Sequence, residues 1–170
     1  MNVGLVIGKK NSIGVPGKNL KIILGRPAAE YAFIAAKYSK LDKIYVSTDS
    51  EEIASIGNRY NATHIIRPPE LATPESLTED VLKHSYEFIR NDLDEKKIKT
   101  ISLLFCNNPA INVGLLKEAI KHVSTNDEYD SCFSVVKYDM FSPARSRRID
   151  PSGEIKPFVD LNLIENVSSI

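Results

Sequence analysis

Val3-Gly4-Leu5-Val6-Ile7-Gly8-Lys9-Lys10-Asn11-Ser12-Ile13-Gly14-Val15-Pro16-Gly17-Lys18-Asn19-Leu20 lies at the start of the chain. Its first six residues, Val3–Gly8, read as a short buried strand, because branched apolar side chains run together and then stop at a glycine. The strand gives way to a loop with Gly8, Gly14 and Gly17, whose backbone N–H groups can approach a ligand closely. Lys9, Lys10, Lys18, Lys21 and Arg26 precede the first acid, Glu30. The 22 acids spread evenly over 170 residues would place about four before that point. A basic, glycine-containing loop at a strand end suits a polyphosphate. The spacing is neither GxGxxG nor GxxxxGK[ST], since Asn19 comes after Lys18, so the dinucleotide fingerprint and the P-loop are both excluded.

Outward from this loop, short apolar runs alternate with amphipathic stretches. Strands are expected at Lys43–Ser47, Thr63–Arg67, Thr100–Phe105 and Ser131–Val136. Helices are expected at Ala28–Tyr38 after Pro27, at Ser50–Tyr60 with Glu51 and Glu52 in its first turn, at Leu77–Arg90 and at Val113–Val123. This alternation predicts an α/β fold with a mostly parallel sheet flanked by helices. Ligands in such sheets bind outside the carboxyl ends of the strands. The tail departs from the pattern: Pro143, Pro151, Gly153 and Pro157 surround Arg145, Arg147 and Arg148, and the segment reads as an extended arm or hairpin. The expected division is a nucleotide-binding domain over residues 1–137 and a protruding arm over 138–170, with a chain truncated at its end.

Composition narrows the function. Lys and Arg together number 22, as do Asp and Glu, so the net charge is zero. A nucleic acid or an anionic membrane surface is not an expected partner. No apolar run reaches the ~20 residues of a membrane span, and the N-terminus makes a poor signal peptide. Cys106 and Cys132 form no CxxC pair and read as reduced thiols of a cytoplasmic protein. His64, His84 and His122 lack ligand spacing.

Three ordered motifs resemble the acylneuraminate (CMP-sialic acid) cytidylyltransferase family. Gly14-Val15-Pro16-Gly17-Lys18-Asn19-Leu20, preceded by Asn11-Ser12, is similar to its G-[IVL]-P-x-K-N-[LI] signature. Val46-Ser47-Thr48-Asp49-Ser50-Glu51-Glu52-Ile53-Ala54 resembles the second signature, and Arg67-Pro68-Pro69-Glu70-Leu71-Ala72 the third. The resemblance implies a nucleotide-diphospho-sugar transferase-like fold, a homodimer formed through the arm, Mg²⁺, and transfer of CMP from CTP to a nonulosonic acid sugar with release of pyrophosphate. It implies nucleotide binding by Ile7, Gly8, Lys9, Lys10, Asn11, Ser12, Gly14, Lys18 and Asn19, with Arg67 near the base or ribose and Ser76 and Thr78 against the nucleoside. Lys18 and Lys9 are the expected catalytic cations, and Asn107 and Asn108 the expected sugar-binding residues.

The chain also departs from the family. Lys9 and Ile13 stand where the family's first loop carries Arg and Lys, and Lys9 lacks the guanidinium fork. After the fourth main strand the family reads LLQPTSPLR, whereas this chain has Leu103-Leu104-Phe105-Cys106-Asn107-Asn108-Pro109-Ala110-Ile111. Phe105 replaces a Gln and Ile111 an Arg, which suggests a different acceptor sugar, or none. A related branch places a metal-ligating Asp at the position of Asn107, whose carbonyl oxygen is a weaker ligand. Three residues carry structural expectations beside functional ones: Ser76 as N-cap of a capping box with Glu79, Asp49 as cap of the second helix, and Arg67 as the partner of Glu70 in a surface ion pair.

Overall fold

The computed structural model describes residues 1–12, 14–73, 75–135 and 146–159. The chain resolves into two compact units, Met1–Phe133 and Ser134–Ile170. The first unit is built on a four-stranded, all-parallel sheet of β1 (Asn2–Ile7), β4 (Lys43–Thr48), β5 (Thr63–Ile66) and β6 (Thr100–Phe105), in the order β5-β4-β1-β6. The helices are α1 (Ala28–Tyr38), α2 (Glu51–Arg59), α3 (Thr78–Asp92) and α4 (Val113–Thr125). Chain order runs outward from β1 to β5 and then returns to β6 on the other side of β1. The topological switch point therefore lies between β1 and β6, where a crevice opens at the carboxyl ends.

Period-two alternation divides the strands between two cores. Val3, Leu5, Ile7, Tyr45 and Ile65 face α3, meeting its Val81 and Ile89. Val6, Val46, Leu104 and Cys106 face the other way, onto Ala29, Ala32, Phe33 and Ala36 of α1 and Ile53 and Ile56 of α2. The small side chains of α1 let that helix lie close to the sheet. Phe33 and Ile53 are fully buried, each contributing about 1.5–3 kcal/mol relative to an exposed side chain. Ser50 caps α2 by accepting from the Ile53 N–H at 3.3 Å, and Asn112 caps α4 by accepting from the Leu115 N–H at 3.1 Å.

Several expectations are corrected. Ser131–Val135 forms no strand; Phe133 and Val135 are exposed, and among the described residues nothing pairs with the segment. An apolar run becomes a strand only by finding a ladder partner, which local sequence does not provide. Val136 lies outside the described residues. Pro27 occupies the N-cap of α1 rather than its first turn. A short hairpin, β2 (Ile22–Ile23) with β3 (Arg26–Pro27), was not expected. It turns on Leu24 and Gly25, both at positive φ (48° and 83°), and a leucine there is a weak turn signal. In the second unit, β7 (Arg147–Ile149) pairs antiparallel with β8 (Ile155–Pro157) across a turn containing Gly153 at φ 86°.

Two contacts yield measurable consequences. A Cβ on Gly8 would meet Cys106 Sγ at 2.6 Å and Cys106 Cβ at 2.7 Å. Gly8→Ala should lower stability by about 1–3 kcal/mol in denaturant unfolding, and Cys106→Gly should recover part of that loss. An unchanged midpoint would contradict this packing. On the α3 side, Asp92 accepts from Lys43 Nζ and from the buried Tyr45 hydroxyl. The Lys43 hydrogen bond first, then that of Tyr45, holds the Asp92 carboxyl below its ordinary value, and burial pushes the Tyr45 phenol up to about 12. A depressed carboxylate stabilises above its unfolded pKa and loses that contribution as pH falls through the folded value. The stability gap between the wild type and Asp92→Asn should therefore be widest near neutral pH and shrink below about pH 4. A gap constant down to pH 2 would exclude the pairing.

Candidate functional site

The loop after β1 is pinned at three points. The Gly8 N–H donates to the Ser47 carbonyl at 3.3 Å, the Lys10 N–H to Asp49 Oδ1 at 2.7 Å, and Asn19 Nδ2 to the Lys9 carbonyl at 2.9 Å. Gly17 takes φ 63°, and the chain then enters a 3-10 turn over Lys18–Leu20. This closes the loop on itself, so that Lys9, Ser12, Lys18 and Asn19 line one cavity of about 230 Å³ above β1 and β6. Asn19 is 6% exposed, and its Oδ1 has no partner among the described residues.

Arg67 enters the same cavity from the end of β5. It is 7% exposed and donates from Nη2 to the Ser47 carbonyl at 2.7 Å, while its Nε is buried without a partner among the described residues. The expected surface ion pair with Glu70 does not form: the guanidinium turns inward, to Ser47. Burial lowers the guanidinium pKa, opposed by the charge of Asp49. A buried cation bonded to a carbonyl rather than a carboxylate is costly, and a polar or anionic ligand would relieve it. Lys9, Lys18 and Arg67 give the cavity three cations, and among the described residues no carboxylate lines it, in a chain whose total charge is zero.

The remaining wall comes from α3 and the end of β6. Ser76, Leu77, Thr78 and Val81 line the cavity, with Ile7, Gly8, Phe105 and Asn107. Ser76 is not the helix cap: Leu77 holds the N-cap position, and the Ser76 hydroxyl lies 2.8 Å from the Thr73 carbonyl and 3.0 Å from that of Leu71. The preceding 3-10 turn ends at Leu71, and the carbonyls of Leu71 and of Thr73 just beyond it win the hydroxyl. Asp49 is likewise no cap: Ser50 takes that role, and Asp49 holds the Lys10 N–H. Lys9 Nζ reaches the Thr73 carbonyl at 3.3 Å, joining the first loop to the segment before α3.

Of the expected site residues, Ile7, Gly8, Lys9, Ser12, Lys18, Asn19, Arg67, Ser76, Thr78 and Asn107 come together in this cavity. Lys10, Gly14 and Asn108 do not line it; the Asn108 N–H closes a turn onto the Phe105 carbonyl at 3.1 Å. Asn11 lines a second hollow, which shares Arg67 and includes Asp49 and His64. Ile13 and Arg145 lie outside the described residues. Leu77 and Val81 were not expected at the site; Phe105, marked in the sequence as a departure from the family's site-lining segment, stands there in register with Ile7. Ile111 packs against the α1-side core. Burial pushes the Cys106 thiol up to about 12, so it remains protonated and is no nucleophile.

The expected Mg²⁺ finds little here. Asn107 offers one neutral oxygen, and among the described residues no three His, Cys, Asp or Glu side chains cluster to hold an ion. These residues do not form a resident metal site. Among the described residues, no helix is long and apolar enough to cross a membrane.

Residues 3–147 match the family model described as Cytidylyltransferase. The chain is 30% identical over 151 residues to N-acylneuraminate cytidylyltransferase A of Danio rerio, covering 88% of this chain and 33% of that protein. It is 26% identical over 163 residues to N-acylneuraminate cytidylyltransferase of Escherichia coli O18:K1:H7, covering 95% and 35%. It thus spans about a third of the length of these relatives. In fold it resembles CMP:2-keto-3-deoxy-manno-octonic acid synthetase solved with CTP, with a TM-score of 0.52 at 17% identity over 71% of this chain and 46% of that one. With its three motifs, parallel sheet and basic switch-point cavity, the chain belongs to the cytidylyltransferase family.

Proposed function

We propose that this protein transfers CMP from CTP to a sialic-acid-like nonulosonic acid, releasing pyrophosphate. The observation that carries the reading is the switch-point cavity lined by Lys9, Lys18 and Arg67, with no carboxylate among the described residues of its wall. A hydroxyl oxygen of the acceptor attacks the α-phosphorus of CTP. The bond to the α–β bridging oxygen breaks, pyrophosphate leaves, and the hydroxyl proton passes to solvent. Such chemistry asks the protein mainly for position and charge neutralisation. Lys18 and Lys9 meet the phosphates, with Gly8 and Ser12 beside them. Arg67, Asn19, Ser76 and Thr78 hold the nucleoside, and Asn107 lies on the acceptor side. The same reading carries Mg²⁺ with the triphosphate and a homodimer formed through residues 138–170, both supported by the family resemblance, and a cytoplasmic setting, supported by the absence of a CxxC pair.

Ile13, Phe105 and Ile111, which replace polar or charged residues of the family pattern, favour a second reading, a nucleotide-binding or scaffold homologue without turnover. Pyrophosphate release from CTP and Mg²⁺ across a panel of nonulosonic acids separates the two. Release with at least one acid is expected; CTP binding by calorimetry with no release from any acid would support the second reading. Lys18→Ala should weaken CTP binding by about 1.5–3 kcal/mol, the range of a charge-assisted hydrogen bond. An unchanged affinity would remove Lys18 from the phosphate site.

A further inference from the structure

The carboxyl end of β4 holds the first loop and Arg67 at once. The Ser47 carbonyl accepts from the Gly8 N–H at 3.3 Å and from Arg67 Nη2 at 2.7 Å, and the Thr48 carbonyl accepts from the Arg67 N–H at 3.4 Å. Directly after the strand, Asp49 Oδ1 accepts from the Lys10 N–H at 2.7 Å. That N–H and the Lys9 carbonyl belong to one planar peptide unit, and Asn19 Nδ2 donates to the carbonyl at 2.9 Å. The Lys9–Lys10 peptide is therefore gripped at both poles, by Asp49 on its N–H and by Asn19 on its carbonyl. Its orientation fixes where the Lys9 side chain leaves the loop, and Lys9 lines the cavity. Ser47 and Thr48 act here through backbone carbonyls, which no substitution removes; Asp49 acts through its side chain.

Asp49 does this without lining the cavity. It lines the second hollow instead, which shares Arg67. The placement matters because a carboxylate facing the cavity would repel a triphosphate. From the second hollow its charge offsets the burial of Arg67 while its oxygen holds the loop. We infer that Asp49 is a positioning residue for CTP: it fixes the Lys9–Lys10 peptide beside Arg67, so that the Lys9 and Arg67 cations are in place before the nucleotide arrives. The inference rests on the CTP-binding part of the proposed function. Two effects of removing Asp49 have opposite signs. Loss of a nearby negative charge, by Coulomb's law alone, tightens CTP binding; loss of a positioning contact weakens it.

The test measures CTP affinity by calorimetry for the full chain as wild type, Asp49→Ala, Asp49→Asn and Glu51→Gln, with the amide spectrum of each recorded by NMR without ligand. Asp49→Ala should weaken CTP binding by about tenfold, the lower end of what one charge-assisted hydrogen bond supplies, and should move the Lys10 amide resonance. Asp49→Asn keeps an oxygen for the Lys10 N–H; it should hold that resonance near its wild-type position and stay within about threefold of wild-type affinity. Glu51→Gln removes the other carboxylate of the same hollow and should leave affinity within about twofold. Asp49→Ser, whose oxygen is one bond too short to take the place of Oδ1, replaces the alanine variant if that one does not fold, with the same expectation. Unchanged or tighter CTP binding in Asp49→Ala overturns the role of Asp49 alone. So does an equal loss in Asp49→Asn with the Lys10 amide in place, which would make the effect one of charge. Wild type that binds no CTP overturns the proposed function and this inference together.

Discussion

The buried guanidinium of Arg67 is the constraint around which the site is arranged. It is 7% exposed, its direct bond is to the Ser47 carbonyl, and its Nε has no partner among the described residues. Removing a charge from water at such a place costs several kcal/mol unless something compensates. Asp49 offsets part of this electrostatically, but its carboxylate is committed to the Lys10 N–H. The cavity in front of Arg67 is where the remaining compensation would come from. Asn19, within the β1 loop, carries a second buried atom without a partner among the described residues, so two side chains of the cavity wall have polar atoms left unpaired.

Sheet topology explains why these groups meet. Arg67 comes directly after β5, two strands away from β1, while Phe105 and Asn107 stand at the end of β6 on the other flank. The parallel arrangement brings all these carboxyl ends to one edge, and the return of the chain to β6 opens the crevice there. Gly8 fits because Cys106 fills the space a side chain would need. The close approach of β1 to β6 and the shape of the loop are thus one packing problem.

Much of this was legible in the sequence. The four parallel strands were visible as short branched runs because apolar side chains cover both faces of the sheet. The four helices were visible by their spacing, and their ends shifted by only one or two residues. The basic loop was legible because five cations precede the first acid. What escaped was non-local. Whether Ser131–Val135 forms a strand depends on a partner. Whether Ser76 caps α3 depends on the carbonyls of Leu71 and Thr73, which a turn brings within reach. Asp49 looked like a cap because it precedes a helix, yet its partner, Lys10, comes from 39 residues earlier.

The central claim is that a cytidine nucleotide completes the cavity between the β1 loop and Arg67. It is tested most directly by monitoring the Arg67 Nε–H and the backbone amides of residues 8–19 by NMR during titration with CTP. The Arg67 Nε–H and the amides of Gly8, Lys9 and Asn19 should shift together and saturate with one affinity. Saturable CTP binding that leaves these resonances in place and moves others would contradict it.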